Sequence, residues 1–185
     1  MNNIDELKQK IQDYSKNFPD ELHPARCLDL LKKYSDNRVF FRDHFDDWHF
    51  TGSVLVVNPE KTKVLLMHHK KFGTWQQFGG HVDGEVNIRR EAIRELEEET
   101  GIREKDILLS ENIFHFGIHP VPEIGDEPAH FHYDVSYLAV VDDDLEYIKQ
   151  EAEVHDIRWF EISEVLDNLD SWKYSSGLQE IIVKI

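Results

Sequence analysis

Apolar residues recur at helical spacing near the start of the chain and form short separate runs after about residue 50. Between Ile4 and Phe18 they lie three or four positions apart, which predicts an amphipathic helix that Pro19 ends. A second helix is predicted to open at Asp20 or His23. Residues 1–34 are therefore expected to be largely helical.

Short apolar runs separated by turn residues predict the strands of the remaining chain. The predicted strands are Ser53–Val57, Lys63–His69, Asn112–His119, His130–Val141 and Ile157–Phe160. The predicted helices are Asn87–Thr100, ended by Gly101, and Glu164–Leu169, capped by Ser163, while Leu178–Ile185 fits a helix or a strand. Strands with interleaved helices indicate a mixed α/β sandwich.

An aromatic and acidic stretch, Ser35–Phe50, separates the helical start from the first strand. We expect it to pack the helical segment onto the main domain, or onto a second subunit of a homodimer. The predicted organisation is a helical extension over residues 1–50 and a single main domain over residues 51–185, a division that suits a chain of 185 residues.

Charge and cysteine content narrow the functional classes. The formal net charge of −16 disfavours binding to DNA, and an anionic substrate would need a metal ion or a local basic pocket. Cys27 is the only cysteine, which excludes an internal disulfide and suits a reducing cytoplasm. The start of the chain lacks the apolar run of a signal peptide, and no apolar stretch is long enough for a membrane span.

The strongest chemical signal is a cluster of carboxylates on the predicted helix Asn87–Thr100. Glu95, Glu98 and Glu99 are spaced i, i+3 and i+4, so they share one face, where like charges repel. Such a face favours a hard divalent cation, Mg²⁺ or Mn²⁺. A plain solvated face is the competing interpretation, which the glycine-rich loop before the helix weakens.

Residues Gly79–Ile102 have the sequence GGHVDGEVNIRREAIRELEEETGI. This segment resembles the Nudix box, G-x5-E-x7-R-E-U-x-E-E-x-G-U with U aliphatic, at every fixed position except one. Val86 stands where the family has its first Glu. The flanking sequences also resemble the family, so that the similarity spans roughly Thr51 to Leu169.

The resemblance implies an α/β/α sandwich and hydrolysis of a diphosphate bond in a nucleoside diphosphate linked to another group. It implies that Glu98 and Glu99 bind the metal together with the carbonyl of Gly79. Glu95 would bind metal or act as general base, held by Arg94. These roles suit the chemistry, since water is a poor nucleophile at neutral pH without a metal and a base.

Family members often supply one more Glu from a loop before a late tryptophan, here Trp159. Glu153 and Glu151 are the candidates, and the spacing favours Glu153 as a further metal ligand. An ordinary exposed loop acid is the alternative for either residue.

Val86 cannot help to hold the helix arginine as the usual Glu does. We predict that Glu85 takes over this role towards Arg94 and that Val86 packs against the domain. The alternative partner for Arg94 is Glu91, three residues earlier on the helix.

Histidines are candidate substrate ligands. His130 and His132 alternate on a predicted strand and share one face, and His115 and His119 lie on the strand before it. If the two strands pair, the four side chains are placed to line a substrate cleft and contact phosphate. Zinc binding by the H-x-H pair and a plain polar sheet face are the alternatives.

Lys70 and Lys71 precede the glycine loop and are candidates for binding the anionic substrate. Phe72 and Trp75 flank the same loop, where they either stack on a base or pack in the core or at the rim.

Three functions fit these features. The leading one is a magnesium-dependent Nudix hydrolase acting on a small nucleotide-like substrate. An isomerase of isoprenoid diphosphates shares the fold but needs a cysteine in the cleft, and Cys27 is far from the box in sequence. A non-catalytic Nudix-fold module that binds a nucleotide and regulates a partner is the alternative from a different class.

Overall fold

A computed structural model describes residues 3–34, 37–45, 48–150 and 152–185. Within these ranges the helices are α1 (Asn3–Asn17), α2 (His23–Lys33), α3 (Ile88–Thr100), α4 (Ile162–Asp167) and α5 (Ser176–Ile182). The strands are β1 (Trp48–Val57), β2 (Lys63–His69), β3 (Trp75–Gln76), β4 (Phe78–His81), β5 (Leu108–Leu109), β6 (His115–Val121), β7 (His130–Val140) and β8 (Val154–Glu161).

Strand β1 lies at the centre of a mixed sheet. It pairs in parallel with β7 along its whole length and antiparallel with β2 and β4. Strands β3 and β8 extend the sheet from β2, and β5 and β6 pair with β7, all antiparallel. The parallel pairing of β1 and β7 requires a long crossover, which contains the α3 helix.

Both faces of the sheet are covered, as alternation along β1 shows. Val54 and Val56 belong to the core shared with α1, α2 and α3, whereas Leu55 and Val57 face a second core built with α4 and α5. Such burial on both faces explains why β1 is an apolar run rather than an alternating strand. The predicted α/β sandwich is confirmed as a three-layer arrangement.

The N-terminal helices contribute to the first of these cores. Leu7, Ile11 and Cys27 are buried in the same cluster as the inner face of the sheet. Phe40, in the connecting segment, stacks on Phe50 of β1 with ring centroids 5.0 Å apart. The connecting aromatic segment thus packs the helices onto the sheet of its own chain; residues 35–36 and 46–47 of this stretch lie outside the described ranges.

Helix α3 begins at Ile88, one residue later than predicted, and ends at Thr100 as predicted. The side chain of Asn87 caps its start by accepting a hydrogen bond from the Arg90 amide, and Gly101 ends it with a φ of 72°. Buried Ile88 and Leu96 hold the helix against the sheet. The carboxylate face of α3 is therefore fixed in position beside β4.

Four of the five predicted strands differ from their predicted limits. Strand β1 begins at Trp48 rather than Ser53. The prediction missed its first half because the polar residues His49 and Thr51 interrupt the apolar run there. Strand β6 begins at His115 rather than Asn112. Strand β7 ends at Val140 rather than Val141, and β8 spans Val154–Glu161 rather than Ile157–Phe160.

The C-terminal helices also differ in detail. Helix α4 begins at Ile162, so Ser163 lies inside the helix and the prediction that it is the cap is wrong. The last segment is a helix, and Ser175 caps it by accepting a hydrogen bond from the Leu178 amide. No helix in the described part of the chain is both long and apolar enough to cross a bilayer.

Candidate active site

A cleft of about 490 Å³ opens beside the glycine loop, a volume typical of small-molecule sites. Its walls come from β4, the ends of β6 and β7, and the loops after β2 and before β8. The polar and aromatic residues that line it include His69, Lys71, Phe72, His81, His119, His130, His132, Asp134 and Glu153, together with the backbone of Gly79 and Gly80.

The carboxylates of α3 lie directly beneath the glycine loop. The Gly79 amide donates a hydrogen bond of 3.3 Å to Glu99 Oε2. A Cβ atom at Gly80 would lie 2.7 Å from Glu95 Oε1, and Gly79 has a φ of 148°. Only glycine permits this conformation and this approach, so the loop backbone passes within contact distance of both carboxylates.

Glu99 is the most buried carboxylate of the group, with 4% of its surface exposed. Burial and, to a smaller extent, the negative charges of Glu95, Glu153 and Glu98 raise its pKa to about 9, although the Gly79 amide opposes the shift. Glu153 lines the cleft, close enough to Glu99 to act on it. Carboxylates held together in this way are expected to favour a bound cation. Glu151 lies outside the described residues.

Arg94 connects three carboxylates of α3. Its Nε atom donates to Glu91 Oε2 at 2.6 Å, one terminal nitrogen bonds Glu95 Oε1, and the other lies 2.7 Å from Glu98 Oε2. Burial opposes the charge, but the bonds to Glu98 and Glu91 raise the pKa of Arg94. Burial also raises the pKa of Glu95, although Arg94 lowers it. The guanidinium thus orients Glu95 and keeps its carboxylate closer to its ionised form.

The prediction that Glu85 holds Arg94 is wrong. Glu85 instead accepts a 2.8 Å hydrogen bond from the Asn87 amide and lies 3.6 Å from Arg90. Glu91 is the partner, because residues three apart on a helix lie on the same face. Val86 packs against the core, as predicted.

Pairing of β6 with β7 places His119 opposite His132. His119, His130 and His132 line the cleft, in agreement with the alternation along the strand. His115 does not, since it is buried with its Nε2 atom 3.5 Å from Glu180. Three of the four candidate histidines are therefore within reach of a bound molecule.

Two further histidines, His49 on β1 and His81 at the end of β4, lie against His132, although neither was singled out from the sequence. Mainly through burial, the pKa of His49 and that of His81 are lowered to about 4 and that of His132 to about 2. The His44 carbonyl opposes the shift of His49, and the charge of Asp83 opposes that of His81. At neutral pH these imidazoles are uncharged. In the sequence, the H-x-H pair of His130 and His132 indicated a part of this cluster, and the total of 11 histidines was the only further signal.

Asp134 lies at the base of the cleft, at the centre of a hydrogen-bond network. It accepts from Thr51 at 2.9 Å, from Ser53 at 2.6 Å and from Ser136 at 2.7 Å. Such a satisfied buried carboxylate holds β1 and β7 in register where the cleft needs rigid walls.

The lysines and aromatics near the glycine loop separate into different positions. Lys71 and the exposed Phe72 line the cleft, whereas Lys70 does not. Trp75 packs against Phe160 in the second core, with ring centroids 4.7 Å apart. Cys27 is fully buried in the other core, and burial raises its thiol pKa well above the ordinary value. An isomerase with a cleft cysteine is therefore disfavoured.

Arg42, from the segment before β1, forms a bidentate ion pair with Asp83 of the glycine loop. The hydrogen bond to Asp83 raises the pKa of Arg42, and the charges of Glu95 and Glu153 add to this shift. A positive charge from the N-terminal part therefore acts on the carboxylate group. The sequence provides no signal for this contact, which joins residues 41 positions apart.

Comparison with known proteins supports one family. The NUDIX domain model matches residues 48–178, well over half of the chain. No curated protein is significantly similar in sequence. Among solved structures, a NUDIX-family hydrolase from Clostridium perfringens is 30% identical with a TM-score of 0.50, over 73% of this chain and 91% of that one.

Two more distant structures share the fold. An Ap4A hydrolase of C. elegans is 16% identical with a TM-score of 0.55, over 73% of this chain and 93% of that one. The NUDIX domain of Shewanella oneidensis NrtR, complexed with ADP ribose, is 17% identical with a TM-score of 0.53, over 77% of this chain and 89% of that one. The matched residues include the glycine loop and all of α3, and from the family match and the 30% identity we conclude that the chain belongs to the Nudix hydrolase family.

Proposed function

We propose that this protein hydrolyses a diphosphate bond in a nucleoside diphosphate linked to another group, with Mg²⁺ or Mn²⁺ as cofactor. The observation that carries the proposal is the burial of Glu99 beside Glu95 and Glu153, under the backbone of Gly79. Buried carboxylates with a raised pKa at the end of a cleft are typical of functional sites.

The residues present suit a hard divalent cation. Glu98, Glu99, Glu153 and Glu95 offer carboxylate oxygens, and Gly79 offers its carbonyl, which matches the preference of Mg²⁺ for oxygen ligands. When bound, the cation supplies Lewis-acid stabilisation of the phosphate oxygens.

Glu95 is the proposed general base. It accepts a proton as the oxygen of water forms a bond to phosphorus and the bridging P–O bond breaks, so the leaving phosphate departs with the electron pair. Burial raises the pKa of this carboxyl above its ordinary value, which strengthens it as a base, and Arg94 holds it in place. The proton acceptor and its positioning residue are thus both on α3.

Lys71, His130 and His132 are the proposed phosphate-binding wall. The imidazole of His132, uncharged at neutral pH, can donate a hydrogen bond without adding charge, so Lys71 contributes the positive charge on the cleft surface. The exposed ring of Phe72 is placed at the rim to stack on a base. Lys70, which does not line the cleft, is proposed to contribute less.

A substrate panel tests the proposal. Metal-free protein is incubated with Ap4A, ADP-ribose, a nucleotide sugar and nucleoside triphosphates, in chelator and then with Mg²⁺ or Mn²⁺. At least one compound is expected to be cleaved with the cation and not in chelator. Equal turnover in chelator contradicts the proposal, and binding without turnover across the panel indicates a non-catalytic regulatory module instead.

Separate substitutions of Glu91 and Glu85 test which of the two glutamates holds Arg94. Glu91→Gln is expected to lower kcat about tenfold, roughly 1.4 kcal/mol, because Arg94 loses one of its fixed contacts. Glu85→Gln, the matched control, is expected to leave kcat within about twofold, since Glu85 bonds Asn87 instead. Steady-state kinetics on the best panel substrate measures both, and an equal loss in the two variants contradicts this assignment.

Lys71→Ala is expected to raise KM about tenfold with little change in kcat, as for a lost contact made equally in the ground and transition states. Lys105→Ala, a substitution at a highly exposed lysine outside the cleft, is the control, and Lys70→Ala is expected to have the smaller effect of the two neighbouring lysines. A fall in kcat with unchanged KM is inconsistent with this role.

A further inference from the structure

Histidines from three strands meet at one end of the cleft. The parallel pairing of β1 with β7 aligns His49 with His132, and β4 brings His81 alongside. Ring centroids are 4.7 Å apart for His49 and His132, 5.1 Å for His49 and His81, and 5.0 Å for His81 and His132. His130 lies next to His132 on the same face. This cluster is separate from the carboxylates of α3.

The nitrogen atoms of the cluster converge. One ring nitrogen from each of His49, His81 and His132 lies within 4.8 Å of the other two. Bonds of about 2.0–2.1 Å to a tetrahedral ion place ligand nitrogens roughly 3.4 Å apart. Small side-chain rotations therefore bring the three nitrogens to the spacing of a shared metal ion.

The outer hydrogen bonds orient the rings for this role. His49 Nδ1 lies 3.2 Å from the His44 carbonyl, to which it can donate, leaving Nε2 with its lone pair free to bind. That Nε2 atom is buried and has no hydrogen-bond partner among the residues that the structure describes. A backbone carbonyl behind the ring is the usual support of a metal-binding histidine, and an unpaired buried nitrogen is costly without an ion.

His130 supports the cluster in the same way. Its Nδ1 atom is 2.8 Å from the Pro128 carbonyl, and its Nε2 atom is 3.1 Å from His132 Nε2. This short contact makes His130 the hydrogen-bond partner that orients His132.

We propose that His49, His81 and His132 form a second metal site, specific for a borderline divalent transition metal, with Zn²⁺ as the preferred ion. Neutral imidazoles bind Zn²⁺, Co²⁺ and Ni²⁺ well, whereas Mg²⁺ prefers oxygen ligands. The protein would then hold two chemically distinct metal sites, a hard one on α3 beneath the glycine loop and a histidine one at the strand ends beside the cleft. His81 and His132 line the cleft, so the remaining coordination position opens towards it, where an anionic oxygen of a bound molecule can enter.

Metal binding is measured on the full chain with Mg²⁺ in excess, so that the α3 carboxylates are saturated. Metal-free protein is titrated with Zn²⁺ against a chromophoric chelator and with Co²⁺ by visible absorption. One equivalent of Zn²⁺ and a tetrahedral Co²⁺ spectrum are expected. Saturation at about 100 times Kd is expected to raise Tm by roughly 5–10 °C. Wild-type protein that binds no equivalent of Zn²⁺ under these conditions overturns the proposal.

Variants locate the site. His132→Gln and His81→Gln, both of half-buried residues, are each expected to weaken Zn²⁺ binding at least about 100-fold, more than loss of a supporting residue does. His155→Gln, at an exposed histidine, is the matched control, and circular dichroism verifies folding. The Glu99→Gln variant is expected to bind one equivalent of Zn²⁺, as the wild-type protein does. Binding that is lost in Glu99→Gln but kept in both histidine variants places the ion on α3 and refutes the inference, whatever the hydrolytic activity.

Discussion

Glu99→Gln is expected to lower kcat by about 10²–10³-fold at saturating Mg²⁺, the loss typical of removing one group that stabilises transition-state charge. Glu99 is the most buried of the proposed metal ligands, and Gly79 fixes its carboxylate by a backbone hydrogen bond. The glutamine keeps the shape and an oxygen acceptor but removes the negative charge that attracts the cation. Steady-state kinetics with a Mg²⁺ titration measures the loss.

The same substitution is expected to stabilise the metal-free protein at alkaline pH. The pKa of Glu99 is about 9 in the folded protein and ordinarily 4.5, so the folded state retains a proton that the unfolded chain releases. This carboxyl therefore lowers stability progressively as pH rises from about 4.5 to 9. In chelator at pH 8, Glu99→Gln is expected to raise Tm by at least about 3 °C, with little difference at pH 5.

A substitution that lowers activity but raises the stability of the metal-free protein identifies Glu99 as a functional residue, because loss of a structural residue would lower stability. Glu97→Gln on the same helix is the matched control, because Glu97 uses its side chain to accept a bond from the Glu104 amide, which glutamine can also do. It is expected to retain kcat within about twofold. A Glu99→Gln protein that is less stable in chelator and equally active with Mg²⁺ contradicts the proposed metal site.

Arg94→Lys is expected to lower kcat about 100-fold with a small change in KM, since misplacing a catalytic group by about 1 Å has an effect of this size. The planar guanidinium contacts Glu91, Glu95 and Glu98 at once, and a single ammonium group cannot reproduce this geometry. The positive charge is kept, so the experiment isolates orientation from charge. Kinetics on the best panel substrate measures the effect.

The pH profile gives a second readout for Arg94. Because Arg94 lowers the pKa of Glu95, a weaker contact is expected to raise that pKa and to move the acidic limb of kcat to higher pH. Arg90→Lys, one turn earlier and largely exposed, is the control and is expected to leave the profile unchanged. An unshifted limb in Arg94→Lys would show that Glu95 is not the base that Arg94 orients.

Local patterns in the sequence were sufficient to predict helix α3. Its apolar spacing, the Asn87 cap and the Gly101 terminator specify α3 from contacts within a few residues, and the observed bounds differ from the predicted ones by one residue at the start. Strand β2 was predicted with its observed limits. The shared face of the three carboxylates follows from helical geometry alone. The family resemblance is a second local signal, because its most specific part is the identity and spacing of residues within Gly79–Ile102.

Burial and partner choice required the tertiary structure. Glu98 and Glu99 are adjacent in sequence, yet one is exposed and the other is buried under Gly79, because only packing decides which side of α3 meets the glycine loop. The choice of Glu91 over Glu85 for Arg94 depended on the path of the loop, in which Glu85 bonds Asn87. Neither outcome can be derived from residue type and spacing.

Contacts between distant segments were the least accessible from the sequence. His49 and His132 become neighbours only because β1 and β7 pair in parallel, and Arg42 reaches Asp83 only because the N-terminal segment packs on the sheet. Sequence periodicity reports which face of an element is apolar, but it does not specify which polar residues of separate elements meet. The chain therefore encodes helix α3, the carboxylates proposed to bind metal and its family locally, whereas the histidine cluster and the cleft arise from long-range strand pairing.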